Sequence, residues 1–189
     1  MTCSDALVRG VVDMMKGSAF LAMLMVAGTI GCSPTSSRTL DPVTVSDDFM
    51  NPDASTVAEY RKAWDGTTLT ELDRATVAGE LLQADPSRYA TYFAFLKGAI
   101  GSSDESLGAA VANSLRNAHG EEALDILVDA ATSGRPQIAR AAGHALAYKR
   151  QEVAGGSIVG SEADLVEDRI QRVCEHTSLP SYVRELICS

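Results

Sequence analysis

The sequence predicts an all-α protein, and three observations carry that prediction. From about residue 56 onward, almost every segment places apolar residues at helical spacing. Runs of β-branched residues are few, and no segment alternates apolar and polar residues as a half-buried strand does. Capping residues and prolines stand between the segments, where helices are expected to begin.

Eight helices are predicted in order along the chain. The first covers residues 56–65. A capping box at 68–71 opens the second, which ends near residue 83. Asp85 and Pro86 supply the N-cap and the first helical residue of the third, which ends near residue 100. The remaining five helices are predicted over about 105–117, 120–132, 136–150, 162–176 and 180–188.

An internal repeat relates the fourth and sixth helices. A shift of 31 residues places Leu107 on Ile138 and Leu115 on Leu146. The second copy, which opens with Pro136, resembles the second helix of a HEAT-like repeat. The resemblance covers about residues 86–150 and implies a short α-solenoid of helical hairpins with capping helices on either side. A compact helical bundle is the alternative, because two copies are few for a solenoid.

The first 31 residues have the pattern of an export signal. Lys16 precedes an apolar run at 19–30, whose twelve residues would extend only about 18 Å as a helix, against about 30 Å of bilayer hydrocarbon. Such a run after a positive residue is typical of a cleaved signal peptide. The acidic residues further upstream indicate a translation start at Met14 or Met15. The alternative is one helix over residues 7–30 of a cytoplasmic protein.

The end of this signal resembles the bacterial lipobox. The sequence Thr29-Ile30-Gly31-Cys32 places a small residue before a cysteine, although Leu is usual where Thr29 stands. The resemblance implies cleavage between Gly31 and Cys32 and attachment of acyl chains such as palmitate to Cys32, which would hold the protein at a membrane. Because Ser33 rather than Asp follows the cysteine, it also implies the outer membrane, with the protein facing the periplasm.

Composition divides the remaining chain into a tether and a domain. Residues 32–55 are polar and contain three prolines, so we expect a lipidated flexible tether there and an all-α domain over residues 56–189. The charges of the signal cancel, which leaves the mature chain with the same net charge of -9 as the whole sequence. This acidity argues against nucleic acid as a partner.

Two cysteines remain in the domain after cleavage. Cys174 and Cys188 are predicted to form a disulfide, because they form an even pair in an oxidising compartment. The alternative is a metal site that uses both cysteines and His176.

The sequence contains few motifs that indicate catalysis. The glycine-rich stretch at 155–161 has the spacing of a phosphate loop but lacks the lysine, and no common hydrolase motif occurs. His119, His144 and His176 are each interpreted as solvated or capping residues. The sequence therefore predicts a protein that is not an enzyme, with no cofactor, no metal and no catalytic residue.

Stacked repeats would bring their second helices onto one surface. This candidate partner-binding face mixes cations, amides and an aromatic ring on an acidic molecule, as a site for an acidic or polymeric partner would. The alternative is a solvated helix face without a partner. Its predicted residues are Asn113, Arg116, Asn117, Arg140, His144 and Tyr148.

These observations favour a non-enzymatic protein-binding or scaffolding module held in the bacterial envelope. Its partners would be the membrane, through the lipid on Cys32, and another envelope protein. One alternative is an immunity or inhibitor lipoprotein whose acidic surface occludes a toxin or hydrolase. The other is an enzyme whose site the motifs do not reveal.

Overall fold

The computed structural model describes Val45 and residues 52–189, and this part of the chain is all-helical, as predicted. The predicted cleavage site at Gly31 and Cys32, the signal peptide and most of the tether lie outside the described residues. Two short 3-10 helices, Pro86–Arg88 and Leu115–Asn117, stand among the longer elements. The α-helices of the described part are α1 (Ala54–Asp65), α2 (Glu71–Ala84), α3 (Tyr89–Ala99), α4 (Glu105–Ser114), α5 (Glu121–Ala131), α6 (Pro136–Ala154), α7 (Ser161–Glu175) and α8 (Ser181–Ile187).

Side-chain caps set the starts of three helices, α1, α2 and α4. Asp53 accepts a hydrogen bond from the Thr56 amide at 2.7 Å, and α1 begins two residues before the helix start predicted at residue 56. At α2 the cap is Thr70, which accepts from the Asp73 amide at 3.1 Å and donates its hydroxyl to the Asp73 carboxylate. The capping box predicted at 68–71 is therefore wrong by two residues. A second pair of suitable residues with the same spacing begins two positions later, and that pair forms the cap.

Asp85 does not cap the third helix, in contrast to the prediction. Its side chain turns inward, where it is only 2% exposed and accepts hydrogen bonds from Arg61, Ser87 and Tyr92. With that carboxylate engaged elsewhere, the chain forms a 3-10 turn first, and α3 starts at Tyr89.

The long helix α6 lies at the centre of the fold. It packs against α4, α5, α7 and α8. Gly108 allows α4 to approach α6 closely, because a Cβ there would lie 2.4 Å from the Ile138 side chain. The repeat-related pairs Leu107 with Ile138 and Leu115 with Leu146 are all buried in the common core, to which the fully buried Val45 also belongs.

Two helices end three or more residues from the predicted position. The fourth helix ends at Ser114 and continues as a 3-10 turn to Asn117 rather than as α-helix. The sixth extends four residues past the predicted end, to Ala154. The glycine-rich stretch then forms a turn into α7, in which Gly156 and Gly160 adopt positive φ and Ile158 is buried.

Candidate partner-binding groove

A groove of about 980 Å³ lies along the exposed face of α6, between the end of α4 and α8. Asn113 and Arg116 line it from the α4 side, and Leu186 lines it from α8. Five of the six predicted face residues are among its walls. The full lining comprises Asn113, Arg116, Pro136, Gln137, Arg140, Ala141, His144, Ala147, Tyr148, Gln151 and Leu186.

Helical spacing explains why α6 supplies most of this lining. Residues three and four apart share one helix face, and the groove side of α6 carries Gln137, Arg140, His144, Tyr148 and Gln151 at that spacing. All five are exposed. The opposite side is buried in the core through Ile138, Ala142, Ala145 and Leu146.

Asn117 does not belong to this face, although the sequence analysis places it there. It is only 4% exposed; its amide nitrogen donates to the Gly79 carbonyl at 2.9 Å and its amide oxygen accepts from Gln83. The prediction assumed an unbroken α-helix to residue 117, whereas the 3-10 turn after Ser114 rotates Asn117 toward α2. Its role is to join α2 to the end of α4.

Two arginines of the groove stack on tyrosine rings. The Arg116 guanidinium lies 5.5 Å from the ring centroid of Tyr148, and that of Arg140 lies 5.1 Å from the ring centroid of Tyr182. The Tyr182 hydroxyl donates to the Pro136 carbonyl at 3.1 Å, which fixes the ring beside the start of α6.

The two guanidinium groups differ in their other partners. Arg116 faces Glu80, with the nearest nitrogen and oxygen 3.5 Å apart. Burial raises the pKa of Glu80, although Arg116 acts to lower it. Arg140 has no hydrogen-bond acceptor or carboxylate partner within the described part of the chain, and a smaller recess beside it is lined by His144, Tyr182 and Glu185.

The short helix α8 is held in place by several links. Cys174 and Cys188 lie at disulfide distance, as predicted, with Cα atoms 5.7 Å apart. Arg184 donates to the carbonyls of Cys174 and His176 at 2.8 and 3.0 Å, and Arg150 donates to that of Ile187 at 3.0 Å. These links position Tyr182 and Leu186 against the groove.

The predicted face omits several residues of the groove region, among them four with long side chains. Gln137 and Gln151 could have been found, because they continue the helical spacing of Arg140 and His144 in both directions. Tyr182 and Leu186 reach the groove through long-range packing of α8 on α6, for which the sequence carries no local signal.

Elsewhere, the other two histidines make surface contacts. His119 lies 3.3 Å from Glu162, and His176 lies 3.1 Å from the Ser178 hydroxyl. Among the described residues, no group of three or more His, Cys, Asp or Glu side chains is arranged to hold a metal ion. In the same part of the chain, no helix combines the length and apolar character needed to cross a membrane.

The chain matches no protein-family model, no curated protein and no solved structure. The groove therefore has to be interpreted from its own residues.

Proposed function

We propose that the protein is a lipoprotein of the bacterial outer membrane that acts as a non-enzymatic protein-binding or scaffolding module. In this proposal α4 and α6 are the second helices of two HEAT-like hairpins in a short solenoid, and the groove binds another envelope protein. The observation that carries the proposal is the groove itself, where arginines, amides and tyrosine rings gather on a molecule whose net charge is -9.

The composition of the groove supports a protein partner. Arginine and tyrosine are enriched at protein interfaces and dominate their binding energy, because each combines a large contact area with specific hydrogen bonds. Arg116, Arg140 and Tyr148 fit that description. Pro136 and Leu186 add apolar surface that a partner side chain can cover.

The membrane anchor is proposed from the sequence. A cysteine that carries several acyl chains holds a protein stably, since each buried methylene contributes about 0.8 kcal/mol. Mass spectrometry of protein extracted from membranes should find an N-terminus at Cys32 bearing acyl chains, and Cys32→Ser should release the protein from the membrane fraction. An unmodified chain that begins at Met1 and fractionates with the cytosol would contradict the anchor.

Binding at the groove can be tested in cells with a photo-crosslinking amino acid. Gln137 is exposed in the groove, and Gln171 is exposed on α7 outside it, so the two positions form a matched pair. Crosslinker at position 137 of the full chain should trap an envelope protein that mass spectrometry identifies, and crosslinker at position 171 should not. The same products from both positions, or none from position 137, would contradict the proposal. A toxin as the trapped protein would assign the immunity role instead.

A further inference from the structure

The Arg140 guanidinium has no hydrogen-bond acceptor within the described chain, unlike that of almost every other arginine there. The guanidinium groups of Arg61, Arg88 and Arg169 bind carboxylates, and those of Arg74 and Arg184 bind carbonyl oxygens. Within the described residues only Arg135 shares this lack, and Arg135 lies outside the groove. An arginine guanidinium carries five donors in a planar fork, so Arg140 has its whole hydrogen-bonding capacity free for a ligand.

The position of Arg140 is nevertheless restricted. Its guanidinium stacks on the Tyr182 ring, and that ring is fixed by its hydrogen bond to the Pro136 carbonyl. A stacked guanidinium keeps the donors at its edge available while losing part of its side-chain freedom, so less entropy is lost when a ligand binds. The ligand that fits a free planar fork best is a carboxylate, bound through two parallel hydrogen bonds.

Arg116 offers a second binding point in the same groove. Its contact with Glu80 measures 3.5 Å, longer than an ordinary charge-assisted hydrogen bond of about 2.7–2.9 Å. A ligand carboxylate could therefore approach Arg116 without breaking a short ion pair. The stack on Tyr148 would hold this guanidinium at the wall of the groove in the same way as Tyr182 holds Arg140.

We infer that the groove binds an acidic peptide segment of the partner protein, an inference that rests on the proposed function. In this complex Arg140 binds a carboxylate of the segment. The groove also carries the side-chain amides of Asn113, Gln137 and Gln151, each of which has both a donor and an acceptor, as a peptide group has.

Charge argues against a polyanion as the occupant. The groove holds two arginines and one histidine, whereas the chain as a whole has a net charge of -9. A nucleic acid or an anionic lipid surface presents many closely spaced negative charges, which the acidic remainder of the molecule would repel. A peptide with a few carboxylates matches the local cations without extending over that acidic surface.

The inference can be tested with defined probes and the full chain in a neutral detergent. The first probe is a fluorescent peptide of alternating glutamate and alanine, and its control replaces every glutamate with glutamine. Fluorescence anisotropy at low ionic strength should show binding of the glutamate peptide and at least about tenfold weaker binding of the glutamine peptide. Near 1 M salt, where the screening length is about 3 Å, the difference should largely disappear.

Matched variants locate the binding. Arg140→Gln should weaken binding of the glutamate peptide at least about tenfold, because it removes the paired donors. Arg135→Gln removes the same charge five residues earlier in the chain, just before α6 and outside the groove, so binding should stay within about twofold. Both residues lack acceptors within the described chain, so neither substitution breaks an intramolecular ion pair there.

Three outcomes would overturn the inference. They are equal binding of the two peptides, equal effects of Arg140→Gln and Arg135→Gln, and Arg140-dependent binding to vesicles of phosphatidylglycerol in place of the peptide. A groove crosslink to an envelope protein together with any of these results would leave the proposed function standing and reject only the acidic segment. Loss of the crosslink would reject the proposed function itself.

Discussion

At the scale of single residues, Gly79 sets how closely α2 approaches α4. A Cβ at this position would lie 2.6 Å from the Ser114 Cβ and 2.7 Å from its hydroxyl oxygen, distances that require something to move. Two buried hydrogen bonds also link α2 with the end of α4 at this contact. Ser114 donates to the Ala75 carbonyl, and Asn117 donates to the Gly79 carbonyl. The missing side chain is therefore a packing requirement.

We expect Gly79→Ala to lower the free energy of unfolding by about 1–3 kcal/mol, because overpacking moves the two helices apart. Gly98, near the end of α3, is the matched control, since a Cβ there meets nothing within 4 Å. Gly98→Ala should raise stability by about 0.5–1 kcal/mol through helix propensity. Urea denaturation measures both changes, and equal effects would contradict the close approach.

The buried carboxylate of Asp85 gives the fold an acid-sensitive point. Burial acts to raise its pKa, but hydrogen bonds from Ser87, Tyr92 and Arg61 outweigh burial and hold the pKa below the ordinary value of 3.8. A carboxylate whose pKa is lower in the folded protein adds stability above the unfolded value and loses it as the pH falls through the folded value. Burial and the bond to Asp85 also raise the pKa of Tyr92 to about 12.

Tyr92→Phe should therefore lower stability near pH 7 by about 1–2 kcal/mol, since it removes a hydrogen bond to a charged group. The variant should also lose less stability than the wild type between about pH 5 and pH 2, because its Asp85 pKa is closer to the ordinary value. Urea denaturation across this pH range compares the two proteins. Parallel stability profiles would contradict the role assigned to the Tyr92 hydroxyl.

Much at the residue scale follows from the sequence, and the prediction fails where tertiary contacts decide the structure. Helical spacing alone was enough to place Asn113, Arg116, Arg140, His144 and Tyr148 on one face, because periodicity depends only on neighbouring residues. It failed at Asn117, where two tertiary hydrogen bonds favour a 3-10 turn over continued α-helix.

At the scale of elements, α8 is the part of the groove most dependent on a covalent link. It has seven residues, too few for a stable isolated helix, and it supplies both Tyr182 and Leu186. The pair Cys174 and Cys188 joins its end to α7. The groove wall should therefore respond to reduction.

Replacing both cysteines with serine should lower the free energy of unfolding by about 3 kcal/mol, the chain-entropy value for a loop of this size. The variant should also bind the glutamate peptide more weakly, since Tyr182 is no longer held against Arg140. Thermal unfolding and anisotropy, with and without reductant, measure the two effects. Reductant should change the wild type and leave the variant unaffected; an equal response of both would contradict the role of the disulfide.

Helix number and order follow from the sequence, while helix ends depend on tertiary contacts. All eight predicted helices are present because each has its own apolar face and a start or stop signal. The Asp85 side chain does not cap the third helix as predicted, because it accepts hydrogen bonds from Arg61 and Tyr92. Neither partner can be inferred from the residues next to Asp85. The last turn of α6 likewise lies beyond its predicted end.

At the scale of the whole molecule, one core connects all eight described helices, with α6 at its centre. The residues that the 31-residue shift pairs in α4 and α6 are buried alike, but that pairing does not predict how α8 closes one side of the groove. A repeat describes neighbouring hairpins, whereas a groove wall from the chain end is a long-range contact. The sequence therefore predicts the face without predicting its concave shape.

We propose that a protein partner binds this groove through its arginines. The most direct measurement is the crosslink from position 137 in cells that carry Arg116→Glu with Arg140→Glu, compared with cells that carry Arg135→Glu. We expect the double charge reversal to abolish the crosslinked product at unchanged protein abundance and the control to retain it. A product that persists in the double variant, or that disappears equally in the control, would contradict binding through these arginines.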